Sequence, residues 1–310
     1  MSKHVPVLIN EVLSLLDFQE DDVFVDLTIG RAGHSTEALK LIKTGFLYGF
    51  DQDETAIIYS AAKLQLGGQN FKLFHSNFVE VENKLAEIGV TKVDKILLDL
   101  GVSSPQFDEA NRGFSYRFDG PLDMRMDQNS LGLTARDIVN KWPLADLTKL
   151  FYSYAEHPES RRVAEGIVRA REEKYIASTF QLVEIIKSSL SHHALRKKGH
   201  PAKQFFQALR IAVNDELNNL ERVLESALKL LAPNGRLAVI SFHSLEDRIV
   251  KNIFKEKSTK AKGHPAIPDR DLPDAPFTLI TRKVVLPTED EVQANPRSQS
   301  AKLRVIMRRE

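Results

Sequence analysis

The chain has 310 residues, 42% hydrophobic and 27% charged, which suits a soluble globular protein with a substantial core in one or two domains. It contains no cysteine, so disulfides, thiolate zinc sites and cysteine nucleophiles are excluded. The net charge of +1 hides an uneven distribution: −7 over residues 1–108, +5 over 109–214 and +3 over 215–310.

The N-terminus, Met1-Ser-Lys-His-Val-Pro-Val-Leu8, has no signal-peptide pattern. No apolar run reaches the roughly 18 residues of a membrane span, so a cytoplasmic protein without membrane contact is expected. Apolar runs at Val23–Leu27, Phe46–Phe50, Phe71–Phe74 and Lys95–Asp99 read as strands, and residues 35–43, 54–65 and 79–88 between them as helices. Such alternation predicts a parallel sheet built from right-handed crossovers. After residue 108 it stops. Residues 109–130 are rich in Gly, Asp, Arg and Phe and read as an ordered loop. Helical patterns follow from about 134 to 190, with caps near Thr134, Pro158 and Thr179. A basic connector spans 191–202, and one long helical stretch runs from about 203 to 231. Strand signals return at Arg236–Phe242 after the turn Pro233-Asn-Gly235, then at Phe277–Val285 and Lys302–Met307. Residues 256–276, rich in Lys, Pro and Asp, read as a mobile loop. The expected organisation is a sheet domain, 1–108 and 215–310, holding a helical insert at 109–214.

Three strand ends carry chemistry. The first strand leads into Asp26-Leu-Thr-Ile-Gly-Arg-Ala-Gly-His-Ser35, where Gly30 and Gly33 permit a tight turn and close approach of backbone to a ligand. Asp51 ends the second strand, where a carboxylate usually accepts ribose hydroxyls. The Gly-x-Gly-x-x-Gly spacing that admits a pyrophosphate is missing, so one nucleoside without a phosphate cradle, such as S-adenosylmethionine (SAM), fits better than a dinucleotide. The glycines can also simply turn the chain. His34 and Ser35 can cap a helix, and Phe78 can pack on adenine or belong to the core. The third strand end is Asp99-Leu-Gly-Val-Ser-Ser-Pro-Gln-Phe-Asp108. Its apolar approach predicts a buried strand delivering polar groups into a cleft. Its order Ser104-Pro-Gln-Phe107 resembles the Ser-Pro-Pro-aromatic motif of enzymes that methylate the exocyclic amino group of cytosine. Without a cysteine, transfer to a nitrogen fits and ring-carbon chemistry does not.

Longer stretches carry a wider resemblance: His4–Leu8, Glu11–Leu13, Asp26-x-Thr-x-Gly30, Gly33-His-Ser35, Leu97–Gln106, Arg112-Gly-Phe-Ser115, Asp119–Asp127, Phe206–Asn214, Ser241–Arg248 and Asn295-Pro-Arg297. Nearly end to end, the chain resembles the bacterial small-subunit ribosomal RNA cytosine-N4 methyltransferases (the RsmH, formerly MraW, family). That resemblance implies a class I SAM-dependent methyltransferase with a Rossmann-like, mostly parallel sheet and an inserted helical domain. It implies methylation of the N4 amino group of a cytidine in the decoding region of 16S rRNA, within the small ribosomal subunit. The cofactor contacts it implies fall on Ala32, Gly33, His34, Asp51, Phe78, Asp99 and Gln106. It also allows dimerisation through the insert. Two positions depart from the family pattern: Ala32 stands where many members have glycine, and Tyr154-Ala-Glu-His-Pro158 where they more often have Tyr-Gly-Glu-Glu.

Catalytic roles are assigned to Ser104 and the backbone carbonyls of Ser103 and Ser104 as acceptors at the target amino group, to Phe107 as stacking platform, and to Asp99 as a further acceptor or a cofactor ligand. No metal-binding set is singled out. The loop Arg112–Asp127 is read as a cover over the target base, or as a structure ordered by pairing of Arg125 with Asp123 or Asp127. Ser241–Arg248 places serine, histidine and carboxylates together, but triad members usually come from separate segments, and Ser244-x-x-Asp247 reads as a helix cap. Basic clusters occur at Arg196-Lys197-Lys198 with Lys203, at Lys255–Lys262, and at Arg297, Lys302, Arg304, Arg308 and Arg309; the first two are read as phosphate contacts or as solvated faces. Two other readings compete: a small-molecule methyltransferase, and a ribosome assembly factor with secondary catalysis.

Overall fold

The computed structural model describes residues 6–260 and 274–310, without the side chains of 104 and 105. Seven strands form one sheet: β1 (Val23–Asp26), β2 (Phe46–Asp51), β3 (Phe71–His75), β4 (Val93–Asp99), β5 (Leu231–Ser241), β6 (Phe277–Leu279) and β7 (Lys302–Arg308). Their order is β3-β2-β1-β4-β5-β7-β6. The first five pair in parallel, and β7 runs antiparallel between β5 and β6. The expected Rossmann-like, mostly parallel sheet is therefore present. The order reverses between β1 and β4, so their C-terminal ends flank the crevice in which such sheets bind ligands.

The helices in chain order are α1 (Ile9–Leu16), α2 (Gly33–Ala38), α3 (Glu54–Leu64), α4 (Val81–Ala86), α5 (Ser104–Asp108), α6 (Ala135–Lys141) and α7 (Leu144–Leu150). There follow α8 (Ser160–Glu173), α9 (Thr179–Ser189), α10 (His192–Leu195), α11 (Lys203–Asn214), α12 (Glu216–Leu230), α13 (Ser244–Lys257) and α14 (Glu289–Ala294). The chain divides into two compact units, residues 1–101 with 217–310, and 102–216.

In the first unit, alternate side chains of each strand feed two separate cores. Val25, Ile96, Leu98, Leu237 and Val239 pack with α12 and α13, while Phe24, Leu97, Ala238 and Ile240 pack with α1 and α3. Burial on both faces is why β4 is continuously apolar. The last strand region is shorter than its pattern predicts: β6 ends at Leu279, and Val285 makes an isolated bridge to Leu303. α13 extends through Lys257, so the expected mobile loop begins later, and its residues 261–273 lie outside the described residues.

The second unit is helical, with α6 to α11 around its own core. Its boundary differs from the expected 109–214. It begins at Val102, so Ser104 and Phe107 belong to it, and it ends at Glu216. The expected long helix from 203 is two helices, because Asp215 adopts φ 50°, a left-handed conformation that ends α11. Thr134 caps α6 as expected, in a capping box with Asp137, and α9 starts at Thr179, where a helix start was expected, capped by Ser178 with Gln181. At Phe151–Ala155 the backbone widens into a π-helical turn, followed by Glu156 at φ 47°. This is the segment whose sequence departs from the family pattern.

Candidate active site

The ends of β1, β2 and β4 each carry a carboxylate, and that of Asp26 lies within electrostatic reach of both Asp51 and Asp99. Asp26 closes β1. Its Oδ1 accepts the Thr28 N–H at 3.2 Å, and its Oδ2 accepts the buried Ser35 hydroxyl. Burial pushes the Asp26 carboxyl up to about 6, against the pull of those bonds. Asp51 closes β2 and accepts the N–H groups of Gly30 and Asp53, both at 2.9 Å. Burial also raises it to about 6. Asp99 closes β4, and its N–H donates to the Thr28 hydroxyl at 2.7 Å. About a quarter of its side chain is exposed (26%), yet Oδ1 is enclosed and has no hydrogen-bond partner among the described residues. Burial, then repulsion by Asp26 and Glu246, lifts the Asp99 carboxyl to about 8. A buried acceptor left open, beside other carboxylates, is the local signature of a missing donor or cation.

At Gly33 a Cβ would lie 2.5 Å from the Pro6 side chain, so its smallness serves packing against the N-terminal segment. Ala32 sits at φ 50°, ψ 40°, the conformation that favours the glycine common in the family. A left-handed alanine costs about 1–2 kcal/mol, part of which glycine returns as unfolded-chain entropy. Ala32→Gly is therefore expected to raise unfolding stability by roughly 0.5–1 kcal/mol, read from urea midpoints. His34 is buried, its Nε2 2.9 Å from the Val7 carbonyl and its Nδ1 3.9 Å from Asp99 Oδ2. Its ring is thus an internal strut at Asp99. Phe78 opens a short 3-10 turn after β3 and is half-buried, with part of its ring against the core.

In the second unit, Gln106 is buried and its Oε1 accepts the Ser103 N–H at 3.0 Å. The Ser103 carbonyl, proposed as an acceptor for the target amino group, already accepts the Phe107 N–H at 3.3 Å and keeps one lone pair for that role. Phe107 is half-buried against the helical core. The Ser104 side chain lies outside the described residues.

The loop Arg112–Asp127 is largely interior. Phe114, Leu122, Met124 and Met126 are buried in the helical core. Arg112 is 4% exposed and donates from Nη2 to the carbonyls of Arg125 and Met126. Arg125 grips Asp123 through two bonds of 2.9 and 2.7 Å, so the pairing anticipated for it is present.

Arg196, Lys197, Lys198 and Lys203 are exposed and make no ion pair among the described residues. The other basic clusters are partly committed. Lys257 pairs with Glu225, Lys260 and Arg309 with Asp274, and Arg304 and Lys302 with Asp247. In the Ser241–Arg248 stretch the cap of α13 is His243, boxed with Glu246, and not Ser244 with Asp247. Asp26 and Thr28 were absent from the sequence-derived site. The signal was available, because Asp26 ends an apolar run just as Asp99 does.

The family model for the MraW methylase family matches residues 1–309. The chain belongs to that family. Ribosomal RNA small subunit methyltransferase H of Exiguobacterium sibiricum is 50% identical, over 99% of this chain and 98% of its own. The protein of the same name from Mesoplasma florum is 48% identical over 99% of each chain, and that from Limosilactobacillus fermentum 50% identical over 98% of each. As an MraW methylase, the chain is a methyltransferase, and the carboxylate-lined strand tips are the place to seek its methyl donor. Among the described residues no helix is long and apolar enough to cross a membrane.

Proposed function

We propose that this chain transfers a methyl group from SAM to the exocyclic N4 of a cytidine in the decoding region of 16S rRNA, acting in the cytoplasm on the small ribosomal subunit. The single observation that carries the donor half is the open, buried Oδ1 of Asp99 beside Asp26 and Asp51. These residues fit SAM, which offers hydroxyls, amino donors and net positive charge where the strand tips offer unfilled acceptors. Relatives named ribosomal RNA small subunit methyltransferase H, at 48–50% identity over nearly their whole length, support the acceptor half.

When bound, SAM supplies a methyl on a sulfonium, and that sulfur leaves neutral. Asp51 is assigned to the ribose hydroxyls, since the N–H groups of Gly30, Asp53 and Gln52 leave part of its acceptor capacity unused. Asp99 takes a donor from the adenosyl or amino-acid part. Phe107 is assigned to stack on the flipped cytosine, and Ser104 to accept from its amino group. That amino nitrogen is a weak nucleophile because its lone pair is shared with the ring. Alignment and acceptors that stabilise its growing positive charge supply the rate, and one N–H proton passes to solvent as the bond forms. The exposed cations Arg196, Lys197, Lys198 and Lys203 are assigned to phosphates.

Mass spectrometry of ribosomal nucleosides, with and without the gene, tests the product. A methyl on N4 of cytidine is expected, and one on ring carbon would sink the reading. Transfer to metabolites but not to subunits would favour the small-molecule alternative, and unchanged nucleosides with defective subunit assembly would favour the assembly factor. Phe107→Ala and Ser104→Ala are each expected to lower kcat on small subunits about 10- to 1,000-fold with SAM affinity kept. Full activity in both would remove those two residues from the mechanism.

A further inference from the structure

The helical unit carries two exposed aromatic residues that none of these roles uses. Phe118 and Phe180 are 46% and 45% exposed. The segments that bear them are tied together. The Thr179 hydroxyl donates to the Phe118 carbonyl at 2.7 Å, the Gly120 N–H donates to that hydroxyl at 3.1 Å, and the Phe180 N–H donates to Asp119 Oδ1 at 3.2 Å. Both rings thus stand on bonded backbone and not on a loose tip. Two residues before Phe118, Tyr116 stacks on His200, with centroids 4.3 Å apart and planes at 10°. Arg117 between them is exposed, its guanidinium 6.0 Å from the Tyr116 ring.

Charge settles what this surface fits. Arg117, Arg196, Lys197, Lys198 and Lys203 are exposed and form no ion pair among the described residues. The nearby acids are already engaged: Asp119 accepts from the start of α9, and Glu184 pairs with Lys187 at 2.9 Å. Exposed aromatic rings on neighbouring, bonded segments, joined through the Tyr116–His200 stack to the cation-bearing 196–203 stretch, match a partner with flat faces along an anionic backbone. Lysines such as Lys197, Lys198 and Lys203 are depleted from the centres of protein interfaces, whereas phosphates pair with them directly.

We infer that Phe118 and Phe180 form a stacking surface for a single-stranded segment of the RNA substrate, with Arg117 and the 196–203 cations on its phosphates. This rests on the proposed rRNA substrate and names where on the helical unit a second stretch of that RNA is held, apart from the target base.

The probe is small ribosomal subunits from cells lacking this gene. For Phe118→Ala/Phe180→Ala, KM for subunits is expected to rise about tenfold or more, with kcat at saturation and SAM affinity within about twofold of the parent. Tyrosine at both positions should restore KM. A benzophenone amino acid at position 118 should crosslink to 16S rRNA. An unchanged KM, or crosslinks to ribosomal proteins alone, would overturn the surface. A parent enzyme that binds SAM but transfers no methyl to subunits would instead overturn the proposed function.

Discussion

Asp99→Asn is expected to bind SAM about 10- to 150-fold more weakly, and yet to be the more stable protein at pH 8 in the absence of SAM. The loss follows from the geometry. The carboxylate offers an enclosed oxygen with no partner among the described residues, and a hydrogen bond to a charged acceptor contributes about 1.5–3 kcal/mol. The gain follows from linkage. In the folded chain burial and the neighbouring anions hold the Asp99 carboxyl at about 8, against a usual 3.8. Below pH 4 the folded and unfolded chains both carry the proton, and the group does not oppose folding. As pH rises from 4 toward 8 the unfolded chain ionises first, so folding stability falls until the folded carboxyl has ionised as well. At pH 8 the asparagine removes this opposition, by about 1–3 kcal/mol. Urea unfolding of both proteins at pH 5 and pH 8, with isothermal titration of SAM, checks both halves. The stability gap should be small at pH 5 and widen at pH 8. Equal midpoints at pH 8 would mean that Asp99 is well solvated and not a strained acceptor.

The second large effect lies in the helical unit. Gly113→Ala is expected to destabilise the helical unit by about 3 kcal/mol or more. Gly113 adopts φ +73°, and a Cβ there would lie 2.1 Å from the Pro121 carbonyl oxygen and 2.9 Å from the Asp123 nitrogen. Both are backbone atoms of the same folded loop, so neither can swing aside as a side-chain tip would. The loop delivers Phe114, Leu122, Met124 and Met126 to the core, and Asn214 fastens it by donating to the Met124 carbonyl and accepting from the Met126 N–H, each at 2.8 Å. Chemical unfolding followed by circular dichroism, together with proteolysis of the region, would read the loss. A variant with the parent's midpoint would show that the loop is not part of the core.

That loop also shows where the sequence stops being informative. Its order was expected from its Gly, Asp and Arg content, but not its burial. Leu122, Met124 and Met126 alternate with polar residues outside any helix, and such spacing does not say which way an irregular backbone turns. Strands were easier to read because β4 and β5 are covered on both faces and so are apolar in unbroken runs. α1 was not anticipated. Its buried contribution among the first-unit residues is chiefly Val12 and Leu16, too few to announce a helix of eight residues. Helix starts slipped by one residue where an unusual cap was used: His243 is an uncommon N-cap, and the serine after it drew the assignment. Among candidate site residues, the carboxylates at strand ends were visible because an apolar run that stops at Asp marks where a buried strand emerges at the ligand-binding edge of such a sheet. The job of Gly33 was not, since Pro6, which needs its missing side chain, lies 27 positions earlier. Ala32 was suspect from the family pattern alone, and only its φ angle explains why.

The order of the sheet has a consequence for how the chain is made. The partner of β4 on one side is β5, which begins at Leu231, whereas β4 ends at Asp99. At a synthesis rate of about 5–20 residues per second, that edge waits about 7–26 s for its neighbour to emerge. During this interval a nascent polypeptide displays a bare row of amide groups flanked by Ile96, Leu97 and Leu98, the kind of edge that other chains can dock onto. β7 is later still, since its residues 302–308 follow both β5 and β6 in the chain, and it must slot between those two strands. A chain cut before Lys302 should therefore leave β5 and β6 without their shared partner and yield an insoluble product, not merely a shortened enzyme.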